Sequence, residues 1–283
     1  MKHLLFVTLS LTKGGAERVI SNMCNDFFIE KGKVTIISLM KAEPEYALDE
    51  RIRFITLDER EQDYRKSMPV RFLTRRGRCK RLLRSLYQEV GVPDCVISFL
   101  PEPNMILCSL KKCLRAPLII SVRNDPRVEY ASKVKYAMMR LLYPRSDGYV
   151  FQTEQAKDYF GFSQHIIKHS VIIPNPLAKE FVEAARDAET EKSRETENNC
   201  EARTSEVKDH EKTYHVLAVG RLEKQKNYPL MLEAFADFHE KYPNSRLTIY
   251  GEGAERKELE AWICERGLEK CICLPGISDH IRE

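Results

Sequence analysis

The sequence has no long apolar run. None of its 283 residues lies in a stretch approaching the about 20 consecutive apolar residues that a membrane-spanning helix needs. The segment 1–10 is rich in apolar residues, but the apolar part is short, and no small-residue cleavage site follows it before Arg18. We therefore predict a buried first strand there, not a signal peptide.

Paired cysteines and a dinucleotide fingerprint are also missing. The nine cysteines are scattered, and Cys271 and Cys273 lie too close together for the usual zinc pair. We interpret them as core thiols of a protein in a reducing compartment. No Gly-x-Gly-x-x-Gly follows the first predicted strand, which argues against a dinucleotide-binding enzyme such as an epimerase. The net charge of +4 is modest, so only its distribution is informative.

Strand and helix patterns alternate over residues 1–180, which indicates a parallel sheet covered by helices. Helical patterns cover 16–29, 69–89, 132–142 and 154–160, and the second of them could break near Gly77. Apolar runs predict strands at 4–9, 34–39, 52–57, 95–100, 118–122, 149–152 and 171–173. Together they predict one complete doubly wound α/β domain.

A second unit is predicted after a change in composition. Residues 181–213 are mostly charged and polar, as in a linker or insertion. Strands at 216–219, 247–250 and 271–274 then alternate with helices at 227–242 and 254–266, and Gly267 suits the end of the second helix. A doubly wound nucleotide domain has about six strands. We therefore expect 214–283 to be an incomplete second domain.

The most informative segment is 216–227, where an apolar run stops at Gly220. Arg221 and Lys226 follow, and Asn227, a good helix N-cap residue, precedes an amphipathic segment. A glycine turn that leads from a strand into a helix N-terminus favours a bound phosphate, through free backbone N–H groups and the helix dipole. The alternative is that both cations are ordinary surface residues.

Similar turns occur elsewhere. Gly14 and Gly15 follow the first strand, and Gly251 and Gly253 follow the second strand of the second unit. Each pair either lets the backbone approach a ligand or makes a plain strand-to-helix turn.

Polar residues follow two later strands of the first unit. Arg123 and Asn124 come directly after the fifth strand, at the end where open α/β sheets bind ligands. They either contact sugar hydroxyls or belong to an Asx turn leading into Pro126. Asn175 lies between two prolines, where its main role is a rigid turn and a ligand contact is the lesser alternative.

These motifs resemble those of the retaining glycosyltransferases of family 4, which have the GT-B fold of two Rossmann-like domains. The resemblance covers nearly the whole chain outside the linker. It rests on Gly220-Arg221 with Lys226-Asn227, on the sequence from Gly14 to Arg18, and on Gly251-Glu252-Gly253. Many members have a histidine near Arg123, so no histidine role in sugar binding carries over.

By this resemblance, the chain transfers a sugar from a UDP- or GDP-linked donor to an acceptor hydroxyl, with retention, in polysaccharide, lipopolysaccharide or lipid-linked glycan assembly. Arg221 and Lys226 would be catalytic, stabilising the leaving diphosphate. The donor-binding set would be Gly14, Gly15, Gly220, Arg221, Lys226, Asn227, Gly251 and Gly253. Arg123, Asn124 and Asn175 would bind acceptor or sugar. No cofactor or metal is implied, and no Asp-x-Asp motif is present.

One family motif has no counterpart in this sequence. Family members carry two glutamates separated by seven residues in the second domain, and this pair would lie beyond Glu283. We therefore expect a C-terminally truncated chain. The alternative function is a catalytically inactive remnant of such an enzyme.

A basic stretch at 65–84 interleaves nine cations with apolar residues. Such a segment either lies on an anionic membrane surface or forms a solvated helix that packs on the sheet. No nucleic-acid-binding motif accompanies it. We predict a cytoplasmic protein, peripheral on the inner face of the cell membrane.

Overall fold

The structure, a computed structural model, describes residues 2–12, 14–57, 67–175 and 213–278. The chain divides into two compact units, whose described parts are 2–175 and 213–278. Unit 1 is an α/β layer structure around one large sheet, and unit 2 has a smaller sheet of its own. The predicted linker at 181–213 lies, except for residue 213, outside the described residues.

The sheet of unit 1 has seven strands, all parallel, in the order β3-β2-β1-β4-β5-β6-β7. The order reverses between β1 and β4, and such a switch point is where open α/β sheets bind ligands. The strands are β1 Lys2–Thr8, β2 Gly32–Ser38, β3 Arg53–Thr56, β4 Cys95–Phe99, β5 Leu118–Ser121, β6 Gly148–Phe151 and β7 Ser170–Ile172.

Helices connect these strands and cover the sheet. They are α1 Gly15–Met23, α2 Met68–Val90, α3 Pro101–Ser109, α4 Lys111–Leu114, α5 Pro126–Glu129, α6 Lys133–Leu142, α7 Glu154–Asp158 and α8 Gln164–Lys168. A π-helical turn, Cys24–Phe28, extends α1. The largest core cluster packs β1, β4, β5 and β6 against α2, α3 and α6, with Val96, Ile106 and Met139 fully buried.

The structure of this unit differs from the sequence predictions in its helices. No break occurs near Gly77, because α2 runs continuously through it. The helix α3 was missed because Pro103 to Cys108 are all buried, so it shows no amphipathic stripe. The short helices α4, α5 and α8 were also missed. The other strands and helices were predicted to within a few residues, except that the predicted helix 16–29 is α1 followed by the π-helical turn.

Unit 2 has a parallel sheet in the order β10-β9-β8, with β8 Tyr214–Val219, β9 Ser245–Tyr250 and β10 Ile272–Gly276. Its helices are α9 Tyr228–Lys241 and α10 Arg256–Glu265. Leu232, Leu247, Ile249 and Ile263 form its core with aromatic neighbours. The prediction for Gly267 is confirmed: with φ of 66° it follows the end of α10, and the N–H groups of Gly267 and Leu268 bond back to Cys264 and Ile263.

The described cysteines are free thiols. Cys24, Cys79 and Cys108 are buried, and burial raises the pKa of Cys79 to about 12, so that thiol stays protonated at neutral pH. Cys264 and Cys273 are exposed, so the interpretation as core thiols holds for only part of the set. Among the described helices, none is both long and apolar enough to cross a bilayer.

Candidate functional site

The candidate residues of unit 2 lie at the carboxyl edge of its sheet. β8 ends at Val219 and leads into Gly220 and Arg221, while β9 ends at Tyr250 and leads into Gly251. Since all three strands are parallel, the two turns meet at the same edge. The structure therefore brings the two predicted glycine turns together, at the edge where α/β sheets bind ligands.

Two cations are available at this edge. The Arg221 side chain is 61% exposed, and its only described ion pair is a 3.3 Å contact with Glu223. Lys226 is exposed, and its aliphatic stem lies over Gly220, about where a Cβ atom of that residue would point. The Tyr228 hydroxyl approaches the same spot, 2.9 Å from the Cβ position. An anion could therefore reach Lys226 directly, and Arg221 by displacing its exposed contact with Glu223.

The backbone of the turn is less available than the sequence suggested. The N–H groups of Gly220 and Leu222 already donate to Tyr250 and Glu252 of the neighbouring turn. The N–H groups of Lys226 and Asn227 are satisfied within the 3₁₀ turn Lys224–Lys226. The expectation that free backbone N–H groups of this turn hold phosphate is thus wrong for these four, and the side chains carry the charge instead.

Asn227 occupies the predicted N-cap position of α9, but its side chain makes no capping hydrogen bond. Its backbone has φ of 52° and ψ of 45°, the left-handed conformation. Asparagine tolerates this conformation better than most residues. The predicted side-chain cap was therefore wrong, and Asn227 serves to reverse the chain between the 3₁₀ turn and α9.

Gly251 and Gly253 are explained by the neighbouring turn. A Cβ atom at Gly251 would overlap the carbonyl oxygen of Gly220, and one at Gly253 would overlap that of Leu222. The two turns pack backbone against backbone, and only glycine permits this. The structure thus gives both glycines a packing role, whether or not they also contact a ligand.

Acidic residues near this edge are largely neutralised. Glu252 pairs with Arg256 at 2.6 Å, and Arg256 also reaches the carbonyl of Leu274. Glu255 is buried at the N-terminus of α10, a favourable end for a carboxylate, and its Oε2 atom has no hydrogen-bond partner in the described structure. The exposed positive charge at the edge therefore comes from Arg221 and Lys226.

In unit 1, Gly14 and Gly15 form the turn between β1 and α1. Gly14 is extended, its carbonyl accepts from the Tyr46 hydroxyl at 3.1 Å, and α1 begins at Gly15. A Cβ atom at Gly15 would meet nothing within 4 Å. This is a strand-to-helix turn with open space at Gly15, compatible with both alternatives drawn from the sequence.

Arg123 and Asn175 are 52 residues apart, and the fold brings them into contact. The guanidinium donates to Asn175 Oδ1 at 2.6 Å and lies 4.9 Å from the Phe99 ring centroid. Gln152, at the carboxyl end of β6, donates to the same oxygen at 2.5 Å. Burial lowers the pKa of Arg123 to about 10, and its Nε atom has no partner in the described structure. It remains a half-buried cation at neutral pH.

Asn124 and Asp125 support the local backbone. Asn124 donates to Glu129 at 3.0 Å, and Asp125 accepts the Arg127 N–H at 2.9 Å as the cap of α5. The Asx turn considered from the sequence is thus present, formed by Asp125. Arg123, Asn124 and Gln152 also line an open pocket of about 450 Å³ beside it.

Sequence reasoning did not identify Gln152, Tyr228 or Glu129. Gln152 is the last residue of a predicted strand, so the rule that ligands bind at carboxyl ends could have indicated it. Tyr228 and Glu129 carried no such signal, because their positions depend on the turn and on α5. In the described part of the chain, no group of three or more His, Cys, Asp or Glu residues is arranged to hold a metal ion.

The comparisons with known proteins agree on one class of protein. Residues 201–283 match the family model described as Glycosyl transferases group 1. A Campylobacter jejuni protein is 28% identical over 288 residues, covering 99% of this chain and 71% of its own length. Its name is N-acetylgalactosamine-N,N'-diacetylbacillosaminyl-diphospho-undecaprenol 4-alpha-N-acetylgalactosaminyltransferase.

A second Campylobacter jejuni protein is 25% identical over 270 residues, covering 95% of this chain and 67% of its own length. It is named GalNAc-alpha-(1->4)-GalNAc-alpha-(1->3)-diNAcBac-PP-undecaprenol alpha-1,4-N-acetyl-D-galactosaminyltransferase. Together with the family match, these relatives show that the chain is similar to glycosyltransferases.

Solved structures agree with the fold. Anabaena HepE in complex with UDP and glucose has a TM-score of 0.66 at 15% identity, covering 98% of this chain and 69% of its own. Sucrose-phosphate synthase from Thermosynechococcus elongatus has a TM-score of 0.67 at 13% identity, covering 99% and 71%. The fold prediction is confirmed: the chain has the α/β fold of the GT-B glycosyltransferases.

Proposed function

We propose that this chain transfers a sugar from a nucleotide-sugar donor to an acceptor hydroxyl, with retention of anomeric configuration. The observation that carries the proposal is the pair of exposed cations, Arg221 and Lys226, at the carboxyl edge of the unit 2 sheet. They lie inside the segment that matches the glycosyl transferases group 1 family. This pairing of site geometry and family match supports a diphosphate-binding role.

The proposed chemistry requires charge stabilisation at the leaving group. The bond from the anomeric carbon to the β-phosphate oxygen of the donor breaks, and a bond to the acceptor oxygen forms on the same face of the sugar. The acceptor proton leaves with the nucleoside diphosphate. Negative charge grows on the diphosphate while the sugar acquires oxocarbenium character, so Arg221 and Lys226 act as catalytic residues by neutralising the diphosphate.

Two comparisons support a choice of substrates. The Anabaena neighbour was solved with UDP, which favours a UDP-linked over a GDP-linked donor. Both Campylobacter relatives are named as N-acetylgalactosaminyltransferases with undecaprenol-diphosphate-linked acceptors. We therefore propose a UDP-linked N-acetylhexosamine as donor and a lipid-linked glycan as acceptor, used at the cytoplasmic face of the membrane.

The residues of unit 1 have a role in this proposal. Arg123, fixed by Asn175 and stacked near Phe99, presents a cation beside the pocket that Asn124 and Gln152 also line. Polar side chains of this kind suit sugar hydroxyls. Gly15 leaves open space for a ligand at the turn after β1.

The direct test is an assay of nucleoside diphosphate release from UDP- and GDP-linked sugars with lipid-linked glycan acceptors. We expect acceptor-dependent release from a UDP-linked donor and a product with the donor's anomeric configuration, read by NMR. Arg221→Gln should abolish release, while Arg246→Gln, an exposed arginine on β9, should not. Release that persists in Arg221→Gln would exclude the assigned role, and UDP binding without turnover would favour the inactive alternative.

A further inference from the structure

Four cations from three parts of unit 1 line one groove that includes none of the candidate donor- or sugar-binding residues. The groove, of about 680 Å³, is bordered by Arg76 of α2, Lys111 and Lys112 of α4, and Arg145, which follows α6. We call it the basic groove. Cys108 and Ser109, at the end of α3, also line it, and the lining residues that the structure describes include no carboxylate.

The cations differ in how they are held. Arg76 donates from Nε to Ser109 Oγ at 2.9 Å, which fixes the plane of its guanidinium. Lys111 is neutralised by Asp147 at 2.6 Å. Lys112 and Arg145 are exposed, and neither makes an ion pair within the described structure. Three of the four positive charges therefore remain without a counter-charge.

The positive surface extends along α2. A neighbouring groove shares Lys112 and adds Lys80, Arg84 and Arg115. Arg76, Lys80 and Arg84 are spaced four residues apart, so they lie on one face of α2. Arg76 also contacts the carbonyl of Ser109 at the C-terminus of α3, where a cation is favourable, but this explains only one charge. The remaining cluster of like charges indicates an anionic ligand.

Exposed apolar side chains lie on α2, which carries Arg76, and on α6, which Arg145 follows. Leu73 on α2 is 64% exposed and precedes Arg76 by one helical turn. Leu141 on α6 is 67% exposed and precedes Arg145 by four residues, and Val134 on the same helix is 58% exposed. Cations beside exposed apolar residues are typical of surfaces that lie in a membrane interface. A soluble phosphate compound would need no such apolar border.

We propose that the basic groove and its apolar border form a docking site for an anionic phospholipid bilayer, with headgroup phosphates bound by Arg76, Lys112 and Arg145. This surface overlaps the stretch 65–84 predicted from the sequence only in part, through Arg76, Lys80 and Arg84. Arg75 of that stretch is buried in an ion pair with Glu102, whereas Lys112 and Arg145 come from outside it. The proposal does not depend on sugar transfer, because bilayer binding needs neither donor nor acceptor.

Vesicle sedimentation with the whole chain tests this site. We expect binding to phosphatidylcholine vesicles that contain phosphatidylglycerol, and little binding to phosphatidylcholine alone. Each of Lys112→Gln and Arg145→Gln should lower the partition coefficient about fivefold. The matched control is Lys31→Gln or Lys33→Gln, which removes an equally exposed charge outside the groove. Equal losses in control and groove variants, or no preference for anionic vesicles, would overturn the proposal.

A second set of experiments distinguishes binding to a bilayer from binding to other sources of phosphate. Leu141→Gln leaves the charge unchanged, and it should lower vesicle binding about tenfold if the side chain enters the interface. Competition by inorganic phosphate at equal phosphate concentration should be weak. Strong competition, unchanged binding by Leu141→Gln, or tighter binding to duplex DNA than to vesicles would each contradict a bilayer site. Unchanged circular dichroism and melting temperatures confirm that the variants are folded.

Discussion

Gly251 lies so close to the carbonyl oxygen of Gly220 that no Cβ atom fits between them. This contact joins the turn after β9 to the turn that carries Arg221, and a second contact, between Gly253 and Leu222, repeats it. The N–H groups of Gly220 and Leu222 strengthen the joint by donating to Tyr250 and Glu252. The position of the two site cations therefore depends on glycines that need touch no ligand.

Gly251→Ala should destabilise unit 2 by about 2 kcal/mol or more, since a methyl group would force the two turns apart. Urea unfolding measures this loss. Gly77→Ala is the matched control, because a Cβ atom at this helical position would meet nothing within 4 Å. It should stabilise the protein by about 0.5–1 kcal/mol through helix propensity. Equal effects of the two substitutions would contradict the packing described for Gly251.

The ion pair between Arg75 and Glu102 predicts a non-additive result. Arg75 is almost fully buried, and the two groups meet at 2.7 Å. Glu102→Ala removes one carboxylate from a buried guanidinium, which should cost about 1.5–3 kcal/mol, the range for a hydrogen bond to a charged group. The double variant Arg75→Met with Glu102→Ala should recover part of this loss, since the buried charge is then gone. Additive losses in a double-mutant cycle would show that the pair is not coupled.

Stability should depend on pH through His3. Its ring is buried, contacts Thr35 Oγ1 at 3.0 Å, and has a pKa lowered by burial and by Lys33. At pH values below 6.5, the ordinary pKa of histidine, His3 binds a proton more readily in the unfolded chain than in the native state. His3 therefore favours the native state fully above pH 6.5, and this contribution is lost as the pH falls through the lowered pKa.

Chemical unfolding of wild type and His3→Gln at several pH values checks this sign. As the pH falls below 6.5, the unfolding free energy of the wild type should decrease relative to that of His3→Gln. A difference that is constant with pH would mean that His3 titrates alike in both states.

The strands were predictable because each is a short apolar run, as in Ile36 and Ile37 of β2. The helix α3 was not, because a helix buried on all sides shows no stripe. The conformations at helix ends were only partly predictable from the sequence. Gly267 behaves as predicted, whereas Asn227 adopts a left-handed backbone conformation and its side chain makes no capping hydrogen bond. Backbone sterics, not the polar side chain, decide that position.

The sequence predicted which residues belong to the candidate site better than it predicted their contacts. The carboxyl-end rule placed Arg123 and Arg221 at sheet edges from sequence alone. Long-range pairing was not accessible: the bonds that Asn175 accepts from Arg123 and Gln152 span 52 and 23 residues. The groove lined by Arg76, Lys112 and Arg145 was hidden for the same reason, since only the fold assembles it.

A carboxylate competes for one cation of the proposed donor site. Glu223 pairs with Arg221 at 3.3 Å, and both side chains are exposed. A bound diphosphate would take over this cation, so Glu223→Gln should tighten nucleotide binding, by about twofold to fivefold at most for an exposed pair. Weaker binding by Glu223→Gln would mean that the carboxylate itself contacts the ligand.

Calorimetric titration of UDP into the wild type, Arg221→Gln, Lys226→Gln and Arg246→Gln tests the central claim most directly. Loss of one charge-assisted hydrogen bond costs about 1.5–3 kcal/mol, so Arg221→Gln and Lys226→Gln should each weaken binding about 10- to 100-fold. Arg246→Gln, on the same sheet but outside the turn, should bind as the wild type does. Equal UDP affinity in all four proteins would contradict a diphosphate site at Arg221 and Lys226.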